Sequence, residues 1–177
     1  MKKSVLIWEL MGIIFIIILG SALHFVFDWF GQWKPIALIA AVNESVWEHL
    51  KLGFWPVLFY SIIEYRYLKK STNNFLIAKT IAMYLIPISI VVLFYSYTAI
   101  LGYNMLIIDI SIFAIAVAIG QLVSYKILIS PSLPHSMYKL ALIALLVVIL
   151  MFLLFTFYAP HLPIFRDPIT GGYGISV

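Results

Sequence analysis

Polar positions are sparse along this chain, and their spacing divides it into long apolar runs. Continuous apolar stretches cover residues 5–27, 36–65, 76–100, 105–128 and 138–158, and the polar string "NESVWEH" (43–49) interrupts the second. The period-two alternation of a transmembrane β-strand is absent, so runs of this length predict helices. Each is close to the roughly 20 apolar residues needed to cross a hydrocarbon core about 30 Å thick. The piece before the interruption, "IALIAAV", is too short to span. It predicts an interfacial or re-entrant segment over 36–43, with the second span at 45–65. The pattern thus describes an all-α, polytopic transmembrane helix bundle in a single domain 1–177, with about five spans and that short extra segment.

Composition supports this class. Hydrophobic residues make up 64% of the chain and charged residues 10%, against roughly 45–50% apolar and 25% charged in a soluble domain. The lipid bilayer is the implied partner, with room for a homo-oligomer or a membrane partner. The net charge of +4 needs no nucleic acid, because Lys and Arg gather in cytoplasmic loops of membrane proteins. Placing Lys2, Lys3, Arg66, Lys69, Lys70, Lys79, Lys126 and Lys139 on one side leaves only Lys34, Lys51 and Arg166 elsewhere. That asymmetry predicts an N-terminus inside and a C-terminus outside. The first run is too long for a signal-peptide core and lacks a small-x-small cleavage pattern, so it reads as an uncleaved span. With no Cys in the chain, disulfides and thiolate ligands are excluded.

Distance along an ideal helix gives each remaining polar residue a depth. His24 lies about 31 Å from Lys3, His49 about 25 Å from Arg66, Asp109 about 25 Å from Lys126 and His161 about 33 Å from Lys139. All reach the outer boundary layer, where Asp28, Glu44 and Glu48 also belong. Of the seven acids in the chain, Asp28, Glu44, Glu48, Asp109 and Asp167 fall on the outer side. Ionisable groups near hydrocarbon usually face the protein interior and mark sites or pathways. The middle and inner halves of the spans read as offering little beyond Ser and Thr.

Two stretches carry candidate chemistry. In "HFVFD", His24 and Asp28 share a helix face at i,i+4 and could hold one ion; the alternative is an exposed pair where the span ends. In "NESVWEH", Asn43 suits an N-cap and Ser45 with Glu48 forms a capping box, which accounts for much of the polarity. Capping leaves Glu44, His49 and Trp47 unexplained. Catalytic candidates are therefore Glu44, Glu48 and His49, and candidate metal ligands are His24, Asp28, His49 and His161, with Asn43, Asp109, Arg166 and Asp167 lining the same pocket. No complete zinc signature is present, since H-x-x-E-H fails at Ser45. A divalent metal such as zinc would need ligands from separate helices, and three protein ligands plus water suffice for a catalytic site. The tail "PHLPIFRDPITGGYGISV" is rich in turn signals yet carries Ile164, Phe165 and Tyr173. It is expected to fold back as a lid (159–177), with Arg166 available to Glu44, Glu48 or Asp109.

The segments "HFVFDW", "VNESVWEHLKLGFWP" and "RDPITGGYG" resemble an uncharacterised family of small bacterial multi-pass membrane proteins known only as a domain of unknown function. The resemblance implies a bacterial cytoplasmic-membrane protein and carries no activity with it. Three functions fit the residues: a metal-assisted membrane-embedded hydrolase, a small cation- or proton-coupled transporter or channel-like protein, and a structural accessory subunit.

Overall fold

The computed structural model describes residues 2–175, so the last two positions of the expected 159–177 lid lie outside the described residues. Five helices account for most of them: α1 (Lys2–Trp29), α2 (Val46–Leu68), α3 (Phe75–Leu101), α4 (Leu106–Leu128) and α5 (His135–Phe157). Four of these, α1, α3, α4 and α5, are long and apolar enough to cross a membrane. The fifth, α2, carries Glu48, Lys51, Glu64 and Arg66, and three of these four side chains point into the protein. Among the described residues there is no strand, only an isolated bridge between Arg166 and Tyr173.

The connections 69–74, 102–105 and 129–134 are short and make α2 to α5 successively antiparallel, while the α1–α2 connection is longer, at 30–45. Helices α1 to α4 close into a ring in which α1 packs on α2 and α4, and α3 packs on α2 and α4, while α5 lies outside against α3. The core runs along the ring axis through Ile16, Phe54, Met83, Ile86 and Val117. Gly20 lets α1 approach α2 closely: a Cβ there would sit 2.5 Å from the Leu52 carbonyl oxygen. The outward faces of α1, α4 and α5 expose Ile14, Ile18, Ile107, Leu140, Leu146 and Leu150. Such a surface is stable only against other apolar matter.

The bundle has one basic end. Lys2, Lys3, Arg66, Lys69, Lys70, Lys126 and Lys139 are exposed there, whereas Lys34 and Arg166 are the exposed basic residues of the other end. Lys79, expected among the solvated basic residues, is instead buried, and so is Lys51. At the basic end Asn74 knits two connections together. Its Nδ2 donates to the carbonyls of Ile127 (3.1 Å) and Pro131 (2.9 Å) and to Ser130 Oγ (2.9 Å), and its Oδ1 accepts from the Leu133 amide (2.9 Å).

The connection from α1 to α2 holds only one turn of 3-10 helix, Ile36–Leu38, rather than a segment filling 36–43. Residues 160–175 return across the helix ends. Phe165 packs between Trp47 (4.7 Å between ring centroids) and Phe155 (5.5 Å), the Gly174 carbonyl accepts from Asn43 Nδ2 (2.8 Å), and the Ile175 amide donates to the Thr156 carbonyl (3.0 Å). Trp47 is therefore buried among aromatic rings, while Trp29 and Trp33 are exposed.

Candidate metal centre at the end of the bundle opposite the basic residues

The polar string at 43–49 divides its work between two sides of one helix start. Ser45 caps α2, its hydroxyl accepting from the Glu48 amide (3.4 Å). The reciprocal half of the expected capping box does not form, because the Ser45 amide is taken by Asn43 Oδ1 (2.9 Å). That frees the Glu48 carboxylate to turn inward. Its Oε2 accepts from the Val42 amide (3.1 Å) and meets Lys51 Nζ at 2.5 Å. Lys51 also donates to the Ala37 carbonyl (2.8 Å) and to Thr156 Oγ1 (2.9 Å). All three ammonium protons are thus used, as a buried lysine requires. Glu48 belongs to a structural clamp across α2, α5 and the 3-10 turn, not to the outward site.

Facing the other way, His49 and Glu44 meet His24 of α1. The two imidazole Nε2 atoms lie 3.2 Å apart, and Glu44 Oε2 is 3.5 Å from His49 Nε2 and 3.8 Å from His24 Nε2. His49 Nδ1 donates to the Ser45 carbonyl at 2.9 Å, which leaves its Nε2 as the lone-pair nitrogen directed at the cluster; metal-bound histidines are commonly held this way. Ligands at about 2.0–2.1 Å from a tetrahedral zinc are about 3.3–3.4 Å from one another. The observed triangle is close to that spacing. His49 and Glu44 side chains retain 31% and 42% of their exposure, so a fourth position is open to solvent. Beside it lies a cavity of about 150 Å³ lined by His24, Phe25, Asp28, Val42, Asn43 and Glu44, among others.

The remaining expected ligands stand apart. Asp28 lines the cavity and accepts from Gln32 Nε2 (3.2 Å) without joining the triangle. His161 is exposed and stacked on Tyr173, with centroids 4.4 Å apart, remote from the His24 cluster. Asp109 accepts from the Tyr97 hydroxyl and from Asn104 Nδ2. Arg166 is exposed and, among the described residues, pairs with none of Glu44, Glu48 or Asp109. Asp167 is buried within its own turn: burial pushes its carboxyl up, but the Thr170 hydroxyl (2.6 Å), the amides of Ile169 and Thr170, and the Glu44 backbone outweigh it and hold the group below its ordinary value.

The match to known families covers nearly all of this architecture. Residues 1–175 match the family described as "Family of unknown function (DUF6512)". The chain belongs to that family. No curated protein and no solved structure matches it. Membership of DUF6512 covers the whole bundle without assigning it an activity, so the chemistry rests on the side chains.

Proposed function

We propose that this protein crosses a bacterial cytoplasmic membrane five times, with the basic end inside, and is a metal-assisted hydrolase whose divalent ion, of the zinc class, is held at the outer face by His24, His49 and Glu44. The observation that carries the reading is the triangle of ligand atoms with edges of 3.2, 3.5 and 3.8 Å, one corner fixed by the Ser45 carbonyl. Two histidines and one carboxylate with an open fourth position form the donor set of hydrolytic zinc sites. Bound there, the ion would polarise a water or a scissile carbonyl or phosphoryl oxygen. Asp28 lies on the cavity wall beside His24 and is the candidate proton acceptor. Glu48 is not, because its carboxylate is committed to Lys51.

The cavity admits a small functional group such as an ester or phosphate, and it is well below the roughly 300 Å³ of a drug-sized pocket. Phe25, Trp29, Phe30 and Trp33 are exposed on and after the same end of α1, which suits a substrate carried at the membrane surface. The transport reading needs a polar path across the bundle. Between Glu9 and His24, however, the buried positions of α1 are Gly12, Ile16, Gly20 and Leu23, and the buried positions of α2 include Leu52, Phe54 and Val57. This apolar layer favours the enzyme.

Metal analysis of the purified protein tests the site. Wild type is expected to carry about one equivalent, and His24→Ala and His49→Ala to lose it; the uptake should weaken as pH falls, since imidazole ligands must be deprotonated. Absence of metal from every preparation, together with no uptake on zinc titration, rejects the proposal.

A further inference from the structure

A second polar cluster lies in the half of the bundle nearer the basic end and takes no part in the site above. Glu9 of α1, Glu64 of α2 and Lys79 of α3 are 0%, 0% and 2% exposed. Lys79 Nζ lies 2.6 Å from Glu9 Oε1 and 2.5 Å from Glu64 Oε2, and α4 adds the Ser124 hydroxyl, which donates to Glu9 Oε1 at 2.9 Å. Two carboxylates therefore share one ammonium. Among the described residues no second cation reaches them, because Lys2, Lys3, Arg66, Lys69, Lys70 and Lys126 are exposed. The nearby Tyr60 has its proton committed to the Trp8 carbonyl (2.6 Å), and Gln121 Nε2 faces the Glu9 carbonyl at 3.5 Å.

If both acids were ionised, the cluster would hold one uncompensated negative charge shielded from bulk solvent. An isolated buried carboxylate is too costly to persist, and such a group takes up a proton instead. The oxygens point the same way. Glu9 Oε2 and Glu64 Oε1 are buried and have no hydrogen-bond donor, and one oxygen of each carboxyl group sits on the same ammonium. Two carboxyl groups gathered around a single cation are relieved by one shared proton, as in carboxyl pairs that cannot both ionise.

We propose that Glu9, Glu64 and Lys79 form a proton-binding site that holds one proton between the two carboxyl groups at neutral pH, making the buried cluster electrically neutral. The proton belongs to the pair rather than to either residue. On the side of the basic end a cavity of about 50 Å³ is lined by Lys2, Val5 and Ser71, among others, with Val5 one helical turn from Glu9.

Infrared difference spectroscopy on the full chain in lipid nanodiscs reads this directly. Wild type at neutral pH should show one deuterium-sensitive protonated-carboxyl stretch. Glu9→Gln and Glu64→Gln should each lose it, because the remaining acid then pairs one-to-one with Lys79. Lys79→Met should instead double it, since both acids must then be neutral. Glutamine copies the shape of a protonated glutamic acid, so Glu64→Gln is also expected to melt with wild type. A wild-type spectrum without the band overturns the proposal, as does a band that persists in both glutamine variants or vanishes when sodium replaces potassium.

Discussion

Removing the charge of Lys51 while leaving Glu48 in place should be among the most damaging single changes in the half of the bundle opposite the basic end. Lys51 is 0% and Glu48 1% exposed. Lys51→Met keeps most of the side-chain volume but leaves the Glu48 carboxylate with one remaining partner, the Val42 amide, and removes the donor to the Ala37 carbonyl and to Thr156 Oγ1, whose hydroxyl keeps its bond to the Phe152 carbonyl. Breaking a buried pair from one side costs about 3–5 kcal/mol. For a chain of this size each kcal/mol moves the melting temperature about 2–4 °C, so a fall of roughly 6–20 °C is expected in detergent. The double variant Glu48→Leu with Lys51→Met removes both charges and should recover most of that loss, because the uncompensated carboxylate has gone. Melting followed by fluorescence or by retention of monodisperse protein measures both. A Lys51→Met protein that melts within about 2 °C of wild type refutes the clamp, and a double variant no better than the single shows that the loss comes from packing and not from the stranded charge.

Further outcomes follow from the tail. Gly174 has φ +60°, and a Cβ there would lie 2.8 Å from the Thr156 carbonyl oxygen; Gly174→Ala should cost about 1–3 kcal/mol and make the tail more sensitive to proteolysis, and unchanged melting and cleavage would disprove the close fit. The Asp167 carboxyl is held below its ordinary value of 3.8. Its contribution is therefore complete above the unfolded value and disappears as pH falls through the folded one. Asp167→Asn should flatten the acid side of the stability profile, the two proteins converging only as pH falls through the folded value of Asp167; an identical slope in both proteins would show that the turn does not depend on the charge.

The sequence made the helices legible because apolar length is a strong signal: α2 begins at Val46 behind Ser45, and α4 spans Leu106–Leu128, close to the runs read from hydropathy alone. Depth along the helices was also enough to bring His24 and His49 to one layer, although it could not say which of several acids in that layer faced them. Glu44 does and Glu48 does not, a choice made by Asn43 taking the Ser45 amide. His161 shares the end of the bundle but lies on the tail, whose path no periodicity describes. The cluster at Glu9 was missed for a different reason. A lysine near the start of a span is ordinarily a solvated interfacial charge, so Lys79 was placed with its exposed neighbours. Yet an acid at position 9 inside an apolar run, and another at 64, each demand a partner. Lys79 is the cation that burial of those two acids requires, and that demand was the available signal.

The ties that hold together the end opposite the basic residues join parts of the chain made at different times. Lys51 donates to Thr156 and Asn43 to Gly174, across 105 and 131 positions of sequence respectively. Because synthesis runs from the N-terminus, the wall carrying Glu44 and His49 emerges well before its supports. Until those positions are made, Lys51 lacks its Thr156 partner and the Asn43 side-chain amide is without the Gly174 carbonyl. A chain that stops before residue 156 thus keeps His24, Glu44 and His49 while losing the partners that hold their supporting wall in place.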